Sequence, residues 1–159
     1  MLKLDSVDKK KLHRLLLEGL KEQIAAIRHA AGAAKDGATH EEAVAKSKYE
    51  THGLELSYLA GSQFERARIA ETKLTLLENA PFTKFHEDDA IDTGALIGLR
   101  DHDKGLRHVY LLSSIGAGLT LRYEDEVIKV ISPESPLGES LMSLGVGDIV
   151  GGKEVIEVR

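Results

Sequence analysis

The chain has 159 residues, 42% apolar and 30% charged, with a net charge of −5: enough for one ordinary domain or two small ones. It has no cysteine, which excludes disulfides and thiolate metal sites, and no apolar run near the roughly 18 residues of a membrane span. Residues 1–80 hold 13 Lys+Arg against 12 Asp+Glu, and residues 81–159 hold 8 against 14, so neither half is a basic nucleic-acid platform.

The N-terminus MLKLDSVDKKKLHRLLLEGL does not read as a secretory signal: Glu18 cuts its Leu-rich part, Lys21 and Glu22 follow it, and there is no small-residue cleavage site. The expectation is a cytoplasmic protein. Leu12, Leu16, Leu20, Ile24 and Ile27 recur at steps of three or four, the spacing of one helix face. This predicts a helix over residues 7–31, on the order of 37 Å long at ~1.5 Å per residue. Asp5 or Ser6 caps it, and Asp8 suits the positive end of its dipole. Lys9, Lys10, Lys11 and Arg14 form a basic patch, read either as a solvated helix start or as a contact with a charged partner.

KDGATHEEAV, residues 35–44, reads as the polar turn between two helices. Asp36 before Gly37 is a turn residue. Thr39 with Glu42 three residues later is a capping box for a second helix over residues 41–77. In that helix Leu56, Leu59, Gln63, Ala67, Ala70, Leu74 and Leu77 form the stripe, and Ala60 and Gly61 allow close approach of a neighbour. Gly53 and Gly61 each cost about 1 kcal/mol relative to Ala in a helix, which leaves a break at Gly53 open. Two such helices joined by a short turn pack antiparallel, and their narrow stripes are those of a two-helix coiled coil.

ENAPFTKFHEDDAID reads as a linker. Beyond it the period changes. ALIGLRDHDKGLRHVYLL gives two strands around a turn at residues 101–105, and GLTLRYEDEVIKVIS two more around Glu124 and Asp125. PLGESLMSL is a short helix capped by Ser135 with Pro136 at its first position. DIVGGKEVIEVR is a hairpin closed by Gly151 and Gly152. The DHD at residues 101–103 and HEDD at 86–89 lie in turn and linker, without a second set of metal ligands.

A long helical hairpin followed by a small β-rich domain resembles the bacterial Gre transcript-cleavage factors, the GreA/GreB family of transcription elongation factors. The strongest match is ISPESPLGESLMSLGVGDIV: a Ser-Pro-Leu-Gly motif (Ser135, Pro136, Leu137, Gly138), a short helix, then Val146, Gly147 and Asp148. The match covers residues 90–159 well, and residues 1–78 by architecture and around Tyr49. The resemblance implies an α+β fold: a long antiparallel helical hairpin over residues 1–78, a linker over 79–90, and an FKBP-like domain over 91–159. That domain would dock on RNA polymerase at the rim of the secondary channel through the loop of Glu134, Ser135, Pro136, Leu137 and Gly138.

By the same resemblance the hairpin would reach towards the polymerase active site, where two tip acids help hold the polymerase's second Mg²⁺ while it cuts backtracked RNA. Carboxylate oxygens suit that ion. Glu41 and Glu42 are the tip candidates. The family tip reads Asp-Leu-Ser-Glu-Asn-Ala-Glu-Tyr, and aligning Tyr49 with its tyrosine places the first acid on Glu42 and the second on Ala45. The implied protein is not an enzyme by itself, holds no metal or cofactor of its own and shares the polymerase's Mg²⁺. It meets DNA and RNA only within the transcription complex and meets no membrane. Three other readings stand beside it. One is a channel-occupying regulator or competitor without cleavage stimulation. Another is a prolyl isomerase, disfavoured by 4% aromatic content with only Tyr110 and Tyr123 in the strands. The third is a coiled-coil interaction module, with Leu17 exposed beside the main stripe.

Overall fold

The computed structural model describes residues 2–44 and 50–159, with backbone alone for 40–44 and 50–52. Ala45 and Tyr49, on which the register of the hairpin tip turns, lie outside the described residues. Two compact units form. One is Leu20–Leu76; the other joins Met1–Gly19 to Leu77–Arg159.

The first unit is an antiparallel pair made by α1 (Lys9–Val44) and α2 (Glu50–Glu78). Arg28 Nε donates to Glu71 Oε1 at 2.7 Å. A Cβ at Gly37 would stand 3.2 Å from Leu56 Cδ1. These contacts run in opposite directions along the two helices, as an antiparallel pair requires. The seam of α1 continues past the predicted end at residue 31 through buried Ala31, Ala34 and Ala38. The turn expected at residues 35–40 is therefore helix. Asp36 and Gly37 are helical, and the Thr39 hydroxyl donates to the Lys35 carbonyl one turn back rather than capping a second helix. Local turn chemistry was overridden because three alanines, the best helix formers, keep the spacing and are buried.

The seam of α2 also departs from the predicted one. Ala60 is 5% exposed, whereas Leu59 is 48% exposed. Both lie within one turn of Leu56, and the smaller side chain takes the place of close approach. α2 passes through Gly53 without a break. Leu54, Tyr58 and Leu76 are exposed off the seam, while Leu17 of the other unit is half-buried. Since Gly32 lies in the α1 interior with nothing within 4 Å of a Cβ built on it, Gly32→Ala is expected to stabilise the pair by about 1 kcal/mol. Urea unfolding followed by circular dichroism checks this; no gain would contradict an uninterrupted helix.

The second unit is built on a six-stranded mixed sheet of order β3-β4-β2-β1-β6-β5. The strands are β1 (Leu96–Asp101), β2 (Arg107–Leu112), β3 (Thr120–Tyr123), β4 (Glu126–Ile131), β5 (Ile149–Val150) and β6 (Lys153–Val158). Among the described residues only β2 and β4 pair in parallel; β3 lies in their connection and pairs with β4 as a hairpin. Gly151 and Gly152, both at positive φ, close β5 onto β6, as the two-residue turn predicts.

Both sheet faces are covered. On one, Ile97, Leu99, Tyr110, Leu112, Val155 and Val158 pack with Ile91 and with Leu141 of the short helix α3 (Pro136–Leu141). The other carries Leu96, Val109, Leu111, Leu121, Ile128 and Val130. The chain start lies over this second face: a Cβ at Gly98 would stand 3.5 Å from Leu4 Cδ1, and one at Gly19 3.9 Å from Leu121 Cδ2. Two-sided burial explains the near-continuous apolar runs LIGL and VYLL, which an exposed face would have interrupted.

The start of α1 differs from expectation. Asp5 and Ser6 form a short 3₁₀ turn with Leu4, and it is Asp8 that caps, its Oδ1 accepting from Lys10 N at 2.9 Å. No helix among the described residues is long and apolar enough to cross a membrane.

Candidate functional site

The structure brings Glu134, Ser135, Pro136, Leu137 and Gly138 together at the start of α3 and gives them different work. Ser135 is the cap: its Oγ accepts from Gly138 N at 3.1 Å and donates to Ser132 O at 2.6 Å. Pro136 occupies the first turn, where its missing N–H costs nothing. Leu137 packs against the core of the sheet, and Gly138 is buried. A Cβ at Gly138 would overlap the Ser132 carbonyl oxygen and stand 2.9 Å from the carbon of that carbonyl. Glycine is thus required by contact with backbone rather than by an unusual φ.

Glu134 and Pro136 are left exposed. The Glu134 carboxylate accepts from the Ser132 hydroxyl and, at 3.5 Å, from Ser114 Oγ. The Ser132 hydrogen bond, then the backbone N–H of Glu134, hold its pKa below the usual glutamate value. The loop therefore presents a fixed, ionised carboxylate beside a rigid proline. The second half of the motif is also held. Asp148 Oδ2 accepts from Gly145 N at 2.7 Å, Gly147 sits at φ 96°, and Asp148 O accepts from Val155 N.

Glu41 and Glu42 fall within α1, not in the first turn of α2; their side chains lie outside the described residues. This removes the capping explanation of Glu42.

The two His-acid runs serve turns. Asp101 Oδ1 accepts from Asp103 N and Lys104 N, which lower its pKa, with Lys104 N the larger influence. Asp89 Oδ2 accepts from His86 N. No group of three metal-ligating side chains occurs among the described residues. Tyr110 and Tyr123 are buried within the sheet unit, and Tyr123 Oη accepts from Asp8 N at 3.0 Å, so neither ring is free to line a proline pocket.

The basic patch is dispersed. Lys10 and Arg14 are exposed. Lys11 Nζ lies 4.5 Å from the centroid of the Tyr123 ring and 3.9 Å from Glu124. Lys9 is buried, 5% exposed, and its Nζ donates to Gly94 O at 2.6 Å. One signal in the sequence could have shown this: Lys9 stands three residues before Leu12, on the buried stripe. Burial pushes the Lys9 pKa down to about 8. Since the folded value lies below the unfolded one, the unfolded chain binds more protons between them, and stability rises with pH across roughly 8 to 10.5. The rise from this group is on the order of 3 kcal/mol. Lys9→Met is expected to flatten that part of the stability–pH curve, measured by urea unfolding at a series of pH values. An unchanged slope would contradict the burial of the amine.

Fold and loop together define a two-unit α+β protein: an antiparallel helix pair, and a mixed sheet that presents a capped acidic loop. Neither a protein-family model nor a curated protein matches the sequence. Among solved structures the chain is similar to the GreA factor homolog 1 (Gfh1) protein of Thermus thermophilus, at 21% identity over 90% of this chain and 94% of that one, with a TM-score of 0.35. It is similar to Thermus aquaticus Gfh1, at 22% identity over 89% and 92%, TM-score 0.33. It is also similar to the prokaryotic transcription elongation factor GreA/GreB from Nitrosomonas europaea, at 18% identity over 56% and 78%, TM-score 0.34.

Proposed function

We propose that this chain is a Gre-like transcription factor that binds RNA polymerase at its secondary channel and modulates elongation, pausing or the cleavage of backtracked RNA. The observation that carries this reading is the loop at Ser135–Gly138. Packing accounts for Ser135, Leu137 and Gly138, but not for the ionised Glu134 and exposed Pro136 that the loop holds outward. These are the groups available to a partner, and they belong to the motif that resembles the family. The helix pair supports the reading by length, since residues 20–44 of α1 extend on the order of 37 Å, a probe suited to a narrow channel.

Glu41 and Glu42 are the candidates for contact with the Mg²⁺ of the polymerase, an ion that carboxylates suit. The second tip acid of the family falls on Ala45 in the Tyr49 register. This favours a factor that occupies the channel over one that stimulates cleavage. Such a factor is not an enzyme by itself, carries no cofactor, works in the cytoplasm, and meets DNA and RNA only through the polymerase complex.

The test uses RNA polymerase stalled in a backtracked complex with end-labelled RNA and Mg²⁺. The expected result is binding to polymerase and slower RNA shortening by an added authentic cleavage factor. Reversing the loop charge with Glu134→Lys should weaken binding by about tenfold, as the loss of a charged contact of about 1.4 kcal/mol does. Faster shortening by this protein alone, lost in a Glu41→Ala/Glu42→Ala variant, would replace channel occupancy with cleavage stimulation. Failure to bind polymerase would overturn the whole reading.

A further inference from the structure

The Lys9 ammonium is buried in the sheet unit without a carboxylate partner among the described residues. Its Nζ has Gly94 O as hydrogen-bond partner and stands 5.5 Å from the centroid of the Phe85 ring. Neither carries a negative charge. No carboxylate among the described residues forms an ion pair with it, and burial is the only cause of its lowered pKa. Most buried ammonium groups are paired, because a lone charge loses its hydration with no Coulomb return.

Lys9 borders a cavity of about 160 Å³. That is room for on the order of five waters at ~30 Å³ each. Part of its wall is apolar: Leu4, Val7 and Phe85. The rest is mainly basic. Lys84, His86 and Arg159 line it with Lys9, against a single carboxylate, Asp5, which is already bound by the Arg159 guanidinium. Glu87 stands 3.8 Å from Arg159 as well. A chain of net charge −5 has thus gathered three cations and one engaged acid around one small cavity. Ligand sites have this composition, an apolar wall with a few convergent polar groups.

We propose that this cavity binds a small carboxylate with a short apolar tail. The anionic head meets Lys9 and Lys84, and the tail lies against Leu4, Val7 and Phe85. The anion supplies the countercharge that the fold withholds from Lys9, and the partly dehydrated surroundings strengthen the attraction. Because the head needs the charged amine, and burial holds that amine to about 8, affinity falls as pH rises above that value. Bound carboxylate in turn raises the Lys9 pKa by linkage. The site does not depend on the polymerase reading, and either can fail alone.

The test titrates sodium butyrate into the full chain at pH 7 and constant ionic strength, followed by amide NMR shifts of Leu4, Phe85 and Gly94. Butyramide and inorganic phosphate serve as probes of the tail and of the charge alone. The expected result is saturable shifts with butyrate that weaken above pH 8, with little response to butyramide or phosphate. Lys9→Met should weaken butyrate by about thirtyfold or more, as the loss of one partner of a buried charge pair does. Exposed Lys84→Glu, which leaves the core intact, should weaken it severalfold. Absence of saturation, an equal response to butyramide or to phosphate, or unchanged affinity in Lys84→Glu would each overturn the proposal.

Discussion

Gly138→Ala is expected to cost the sheet unit about 3 kcal/mol, the upper end of overpacking penalties. The obstacle is the Ser132 carbonyl, which cannot swing aside as a side chain would. It accepts from Ser135 N at 3.1 Å and from Ser135 Oγ at 2.6 Å. Relief of the overlap breaks the cap that starts α3. That in turn withdraws Leu137 and Leu141 from the core and frees Glu134 from Ser132. Thermal melting should fall by roughly 6–12 °C for a chain of this size. Gly145→Ala, where a Cβ meets nothing within 4 Å, should stay within about 0.5 kcal/mol. Equal melting of the two variants would refute the packing account of the Ser-Pro-Leu-Gly motif. If the polymerase reading holds, Gly138→Ala also weakens binding without touching a contact residue.

Leu16→Ala is expected to cost about 2–5 kcal/mol, the range for emptying a buried leucine site, and to do so in the sheet unit. Leu16 is 0% exposed, and a Cβ at Gly116 would stand 2.5 Å from its Cδ1. Gly116, at φ 81° in the loop between β2 and β3, keeps its backbone conformation and its bare surface for that leucine. Hydrogen exchange should accelerate in β2 and β4, whose Leu111 and Ile128 lie on the face covered by the chain start. Exposed Arg14→Ala, two residues away, should change stability by no more than about 0.5 kcal/mol. Exchange that accelerates only in residues 20–76 would show that Leu16 belongs to the helix pair instead.

The β half was legible because its signals are local. Apolar runs around polar turns placed the two long hairpins, the Gly151–Gly152 pair placed the last one, and Ser135 with Pro136 placed the α3 cap. Each depends on residues within a few positions of each other. The helix pair was legible in kind but not in its turn. Asp36, Gly37, Thr39 and Glu42 all argue for a break, yet Ala31, Ala34 and Ala38 bury against a partner helix and carry α1 to Val44. Each local preference is worth about 1 kcal/mol or less, and seam burial exceeds it. The same competition exchanged Leu59 for Ala60. Of the candidate site, the loop residues 134–138 were found from the motif, but the motif did not say which of them pack and which face outward.

The sequence by itself determined the order of elements, two long helices and then paired strands with a capped helix between them, because propensity, turn chemistry and periodicity act over short stretches. Tertiary structure alone decided which neighbours those elements received. It joined residues 1–19 to the sheet, assigned Gly138 to a carbonyl and Leu16 to a glycine, and turned Lys9 from a solvated patch into a buried ammonium beside a cavity. The physical reason is common to all four. Burial energy depends on what lies opposite a side chain in space, and here the opposite groups range from six residues away, at Gly138, to well over eighty, at Lys9 and Leu16.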